Sequence, residues 1–255
     1  MAPIAEPQRP GGAVKAEGAR QEAPSAEVRA QRLARMTGFL FLVTFATSIP
    51  AFFLSYAPTR DPSFILGDDF SVIVAGGAVL EMILIAANIG TAVAIYPVLK
   101  GVFPGLSLAF VAARIVESTF IAIGIVAVMA LNSLRSAALD ADPQTLTAIG
   151  AALAALHDWT FRLGPGVVVG VGNGLILSWM MWKTRLVPRA LSTLGLFAGP
   201  ALLAAGVAVL LGQAEAGGPA QALATVPEFF WELSLGLWLL LRGFDLSAFR
   251  RLGSG

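Results

Sequence analysis

Six apolar runs divide the chain between residues 36 and 242, each near the ~20 residues that carry a helix across ~30 Å of hydrocarbon. They cover residues 36–54, 71–96, 105–131, 165–182, 190–211 and 227–242. Turn signals separate them: Pro58 and Pro62, Pro97 with Pro104, Pro143, Pro188, and the Gly217-Gly218-Pro219 run. The pattern specifies an all-α polytopic membrane bundle of six transmembrane helices. Composition agrees, because 56% of the 255 residues are hydrophobic and only 13% charged, against about a quarter charged in soluble domains. So much apolar surface does not fit inside one soluble core.

The remaining segments sort by the same logic. Residues 1–30 hold Pro, Gly, Ala, Glu and Arg with few large apolar side chains, too little to offset ordering entropy. They read as a disordered cytoplasmic tail, followed by a transmembrane domain over 31–244 and a short cytoplasmic tail over 245–255. The first run lacks a small-x-small cleavage pattern and is followed by further spans, so it reads as an uncleaved helix rather than a signal peptide. Residues 146–161 are more polar. Leu146, Ile149, Leu153 and Leu156 share one helical face behind an Asp142-Pro143 start, which predicts an interfacial amphipathic helix. Gly164-Pro165-Gly166 is expected to bend it into the fourth span.

Lysines and arginines set the expected orientation. With the N-terminus inside, thirteen fall on the inner side: Arg9, Lys15, Arg20, Arg29, Arg32 and Arg35 in the tail, Lys100, Lys183, Arg185 and Arg189 in loops, and Arg242, Arg250 and Arg251 at the C-terminus. Arg60 and Arg135 face the other side, among Asp61, Asp68, Asp69, Asp140, Asp142 and Glu215. Both termini are therefore expected in the cytoplasm. High Ala, Gly and Arg content suggests a GC-rich bacterial gene, hence the bacterial cytoplasmic (inner) membrane.

Charges inside the apolar runs carry the functional question. Ionised groups in hydrocarbon are costly unless paired or neutralised, so they mark candidate sites. Glu81 sits ~15 Å into the second run, and Arg114 and Glu117 sit ~14 and ~18 Å into the third, counting 1.5 Å per residue. Arg114 and Glu117 are spaced i, i+3 and share a face. The short loop between Pro97 and Pro104 makes the two runs antiparallel neighbours, so Glu81 is expected to reach that face. Asn88 and Asn173 add hydrogen-bonding groups at the same level. The cluster reads either as a polar cavity or proton relay, or as a staple in which Arg114 locks two helices together.

A second cluster is expected near the outer face. His157, Asp158 and Arg162 precede the Gly-Pro-Gly segment, and Glu228 and Glu232 occupy the first turns of the last run. They suit an outward-facing site for a small polar or cationic solute, or ordinary pairing of Arg162 with a glutamate and His157 with Asp158. The chain has one histidine and no cysteine, so thiolate chemistry is excluded, a histidine-based metal site is not expected, and no cofactor is expected. No Gly-x-Ser-x-Gly or His-Glu-x-x-His occurs, and no nucleophile–base pair is visible; the chain does not read as an enzyme. A net charge of +1 gives no reason to expect nucleic acid. Gly170-Val171-Gly172-Asn173-Gly174 lies within an apolar run and reads as close helix packing rather than a phosphate loop.

Several short segments recur together in one family. Arg32-Leu33-Ala34-Arg35 leads into Gly38-Phe39-Leu40; Arg114-Ile115-Val116-Glu117 follows in the third run; His157-Asp158 precedes a glycine-rich run. Val187-Pro188-Arg189-Ala190-Leu191 and Glu232-Leu233-Ser234-Leu235-Gly236-Leu237-Trp238 complete the order. Over about residues 32–244 the chain resembles the bacterial multi-pass membrane family catalogued as domain of unknown function 4386. The resemblance implies an integral membrane protein and supplies no substrate or reaction. Two readings stay open: a small-solute or proton-coupled transporter-like protein, and a non-catalytic membrane protein that binds or regulates a partner. Its partners on these readings are the lipid bilayer, a proton or small solute, and a second copy or another membrane protein.

Overall fold

The computed structural model describes residues 11–67, 69–137 and 142–253. Among them the secondary structure is helical throughout, with no strand. Six helices are long and apolar enough to cross a membrane: Ala26–Thr59, Val72–Leu99, Pro104–Ser136, Pro143–Thr184, Arg189–Leu210 and Pro219–Leu241, the first to sixth spans. This is a multi-pass membrane protein. Large apolar side chains such as Phe39, Phe53, Met82, Val126, Phe197 and Leu223 are exposed around its outside, where lipid rather than water is their favourable neighbour.

The spans close into a ring. The first packs on the second and the sixth, the second on the third, the third on the fourth, the fourth on the fifth, and the fifth on the sixth. Asn132 fastens the second span to the third at one end, accepting from Ser71 N–H (2.9 Å) and donating to its carbonyl (3.0 Å). At the opposite end lies the apolar core, with Phe41, Leu99, Phe110, Leu177, Met181 and Trp231 all buried. Small residues let the backbones close up. A Cβ at Gly38 would stand 2.4 Å from Leu240 N, and one at Gly174 2.2 Å from Gly199 Cα, so only glycine fits those crossings.

The amphipathic segment departs from expectation. It does form a helix, Pro143–Leu163, and Asp142 caps it by accepting from Thr145 N–H at 3.0 Å. The helix packs lengthwise along the third span, however, and at Gly164-Pro165-Gly166 it passes without a break into the apolar run beyond. It widens into π turns over Gly164–Val168 and Gly170–Leu177 and continues to Thr184. Its packing runs antiparallel to the third span: Leu146 beside Leu131, Gly124 beside His157 and Thr160, and Gly164 beside Phe120. Leu146 and Leu153 bury against that neighbour, while Ile149 and Leu156 stay exposed. Pro165 cannot donate the amide a regular helical turn needs, and the glycines around it tolerate a wider coil.

Both chain ends also hold more structure than expected. The first helix runs from Gly11 to Ala51, so helix replaces the disordered tail over 11–30; its Ala-, Glu- and Arg-rich stretch has strong helix propensity. Ala30 is buried and Glu27 pairs with Arg250 at 2.7 Å, which moves the packed domain's start ahead of residue 31. Residues 1–10 of that tail, and Asp68 and Asp140 of the orientation argument, lie outside the described residues. At the C-terminus, Leu246–Leu252 is a capped helix with Ala248 buried, and Gln31 clamps Phe244 by accepting its N–H (3.0 Å) and donating to its carbonyl (2.7 Å). Gly243 beside it has φ +73°, a left-handed conformation suited to glycine.

Candidate functional site

Inside the ring, side chains from the first three spans meet at Arg114. Its guanidinium is 2% exposed, lies 5.6 Å above the Phe41 ring of the first span, and donates to Thr91 Oγ1 of the second at 3.3 Å. Nη1 meets Glu117 Oε2 at 2.7 Å, while Asn88 Nδ2 donates to the other Glu117 oxygen at 2.9 Å. The predicted i, i+3 pair is therefore built, and Asn88 joins it.

Glu81 does not join. It lies eighteen residues before Leu99, whereas Arg114 lies ten after Pro104. At 1.5 Å per residue, antiparallel neighbours joined by a short loop then place Glu81 roughly 12 Å beyond Arg114. Its ionisable neighbour is His157, with Nε2 3.9 Å from Glu81 Oε1. Asn88 and Thr91, eleven and eight residues before Leu99, stand at the level of Arg114 instead. Thr91 went unnoticed in the sequence, although its i+3 spacing from Asn88 puts it on the same face.

Glu228 and Glu232 make the opposite correction. The last helix begins at Pro219, not at residue 227, so both glutamates sit in its middle rather than its first turns. Ala220–Val226 add two turns ahead of Pro227, and the Gly218-Pro219 start was the sequence signal for them. Asn173 Nδ2, carried on the widened glycine stretch, donates to Glu232 Oε1, and Trp231 Nε1 holds the Asn173 carbonyl at 3.1 Å. Glu228 is 3% exposed, and neither of its oxygens has a hydrogen-bond partner among the described residues. A Cβ on Gly174 would stand 2.9 Å from Glu228 Oε2; the missing side chain makes room for the carboxylate. Both glutamates are within electrostatic reach of Arg114 and Glu117. Arg114 is paired with Glu117, while Glu228 is buried without a partner among the described residues and Glu232 is half-buried beside Asn173.

The other polar residues form a separate group nearer the end that carries Asp61 and Asp142. Asp158 accepts from Tyr56 OH at 2.5 Å, Arg162 at 2.9 Å and Arg60 at 3.3 Å. Arg162 pairs with Asp158 and not with a glutamate, since i, i+4 spacing places the two on one face. His157 is turned about 100° away from Asp158 by helix geometry and faces Glu81. Tyr56 and Arg60 were not singled out in the sequence. Among the described residues no group of three His, Cys, Asp or Glu side chains is placed to hold a metal ion.

The model of one protein family, described as Domain of unknown function (DUF4386), matches residues 36–243. The chain belongs to the DUF4386 family. The match takes in both polar groups and all six runs of apolar sequence. Neither the comparison with curated proteins nor that with solved structures gives a match.

Proposed function

We propose that this DUF4386 protein is a proton-coupled, transporter-like protein of the bacterial cytoplasmic membrane, with both termini in the cytoplasm. Its coupling unit is Arg114 with Glu117, Glu228 and Glu232, held by Asn88, Thr91 and Asn173. The observation that carries this reading is Glu228, a buried carboxylate with no hydrogen-bond partner among the described residues. Burying a lone carboxylate is expensive, and a structural staple has no use for one. Arg114 can neutralise one of the three carboxylates. The excess negative charge calls for an exchangeable proton, the kind of group that coupled transporters load and release.

Two further features support the reading. The polar groups come from different spans around a ring, as a gated site between moving helices requires. The π turns beside them, rare in ordinary helices and frequent at functional sites, carry Asn173 into the cluster. The reaction envisaged is not enzymatic, because no nucleophile is paired with a base in the cluster. The test uses vesicles reconstituted with the full chain and an internal pH dye, screened against a metabolite library. At least one small solute should drive a pH change that Glu228→Gln abolishes. Equal responses in wild type and Glu228→Gln would refute the coupling role.

A further inference from the structure

At the end of the ring opposite Asp61 and Asp142, a groove of about 500 Å³ opens between the fourth-to-fifth-span turn and the end of the sixth span. Arg185, Arg189 and Arg242 line it, together with Trp238, Pro188 and Asp245. Among the described residues none of these three arginines makes an ion pair. The one carboxylate in the lining is engaged elsewhere: Asp245 accepts from the N–H groups of Ser247 and Ala248 to cap the last helix. The fifth span also begins here, at Arg189, with no side-chain cap, so the positive end of a 22-residue helix faces the same space.

The floor of the groove is fixed. Asp245 N–H donates to the Leu186 carbonyl at 2.9 Å, and Leu186, Val187 and Phe244 are buried. Arg185 itself is the one non-glycine among the described residues with positive φ, at φ 58° and ψ 25°. That is the helix-ending position glycine normally takes, and any other residue there carries strain. A chain with 27 glycines nonetheless has an arginine at this point. Alongside, Trp179 and Trp182 stack with ring centroids 5.9 Å apart. Lys183 and Arg189 sit over these rings at 4.6 Å. Tryptophan at span ends marks the level of lipid headgroups.

We infer that this groove binds the phosphate of an anionic phospholipid headgroup, with Arg185 and Arg242 as its principal ligands. Basic pockets between transmembrane helices suit such headgroups, and guanidinium is the side chain best shaped for phosphate. The site is independent of the axial cluster, and so is its test. The purified full chain in detergent is titrated with phosphatidylglycerol, phosphatidylcholine or inorganic phosphate, and binding is read by native mass spectrometry.

Phosphatidylglycerol should bind in preference to phosphatidylcholine, and inorganic phosphate should not displace it at equal concentration. Each arginine removed should weaken lipid binding about five-fold, and the Arg185→Gly, Arg242→Gln pair about 30-fold. Arg29→Gln with Arg32→Gln, which removes two charges from the same end outside the groove, should leave the affinity unchanged. Arg185→Gly relieves the backbone strain, so the thermal midpoint should hold or rise while lipid binding falls; a fall in both would mark Arg185 as structural and overturn the assignment. Equal weakening by the two double variants would reduce the effect to general surface charge. Displacement by inorganic phosphate at equal concentration would replace the lipid with a soluble phosphate compound.

Discussion

Arg114 and Glu228 are buried ionisable groups in opposite situations, and their substitutions separate fastening from function. Arg114 is engaged by Glu117, Thr91 and the Phe41 ring. Removing it strands a buried carboxylate, and breaking such a pair costs about 3–5 kcal/mol. Arg114→Ala should therefore lower the thermal midpoint sharply in detergent; an unchanged midpoint would mean that the pair fastens nothing. Glu228 has no hydrogen-bond partner to lose among the described residues, so Glu228→Gln should melt at or above the wild-type temperature. A large loss of stability in that variant would show Glu228 to be part of the scaffold. The sequence made Arg114, Glu117, Asn88 and Asn173 legible, because intramembrane polar residues are rare and i, i+3 spacing fixes a shared face. Glu81 falls short of that face because the second span is 28 residues long, about 42 Å, so equal depths counted from opposite ends of two antiparallel spans do not coincide. His157 and Glu81 meet through the fourth span, whose path along the third could not be read while it was expected to lie flat.

Among the elements, the widened fourth span is the most consequential. Its glycines bring the fifth span close enough that Gly174 and Gly199 touch through backbone alone. A methyl at Gly174 or Gly199 must push the spans apart, and overpacking of this kind costs about 1–3 kcal/mol. Gly76→Ala is the control, since nothing lies within 4 Å of a Cβ there; it should be neutral or slightly stabilising in the same melting assay. Comparable losses at all three positions would remove the close-packing argument. The start of this span makes a pH prediction outside the membrane. Hydrogen bonds from the Thr145 backbone and side chain hold the Asp142 carboxyl below its usual value of 3.8. With the folded value depressed, the cap's contribution is present above pH 3.8 and lost as pH falls through the folded value. Amide exchange over residues 144–147, corrected for intrinsic rate, should accelerate in acid in the wild type. In Asp142→Ala it should already be fast at neutral pH; wild-type protection in that variant would count against the cap. The cap was readable from Asp142-Pro143. The unbroken passage through Gly164 was not, because Gly-Pro-Gly ordinarily signals a bend, whereas here π turns packed against the third and fifth spans continue the helix.

Across the whole molecule, six spans give the chain an even number of crossings and bring its two ends together, where Gln31 grips Phe244 and Glu27 meets Arg250. The bias of lysine and arginine toward that end predicts that it faces the cytoplasm. A reporter fused after Gly217 should accordingly behave as external and one after Leu252 as internal; the reverse pattern would invert the protein. The run lengths alone conveyed the six-helix architecture, since each span had to satisfy its own backbone in lipid. The closed ring was not legible, because apolar faces pack on lipid and on neighbours without distinction in a one-dimensional pattern. The ring is what gathers Arg114 and Glu117, Asn173, and Glu228 and Glu232 from the third, fourth and sixth spans. Proton exchange by this cluster is testable without any knowledge of a solute, by charge displacement after a pH jump on vesicles adsorbed to a capacitive membrane. Wild type should give a transient current that a folded Glu228→Gln, Glu232→Gln protein lacks. A current identical in the two proteins, or none in the wild type, would mean that these carboxylates exchange no proton.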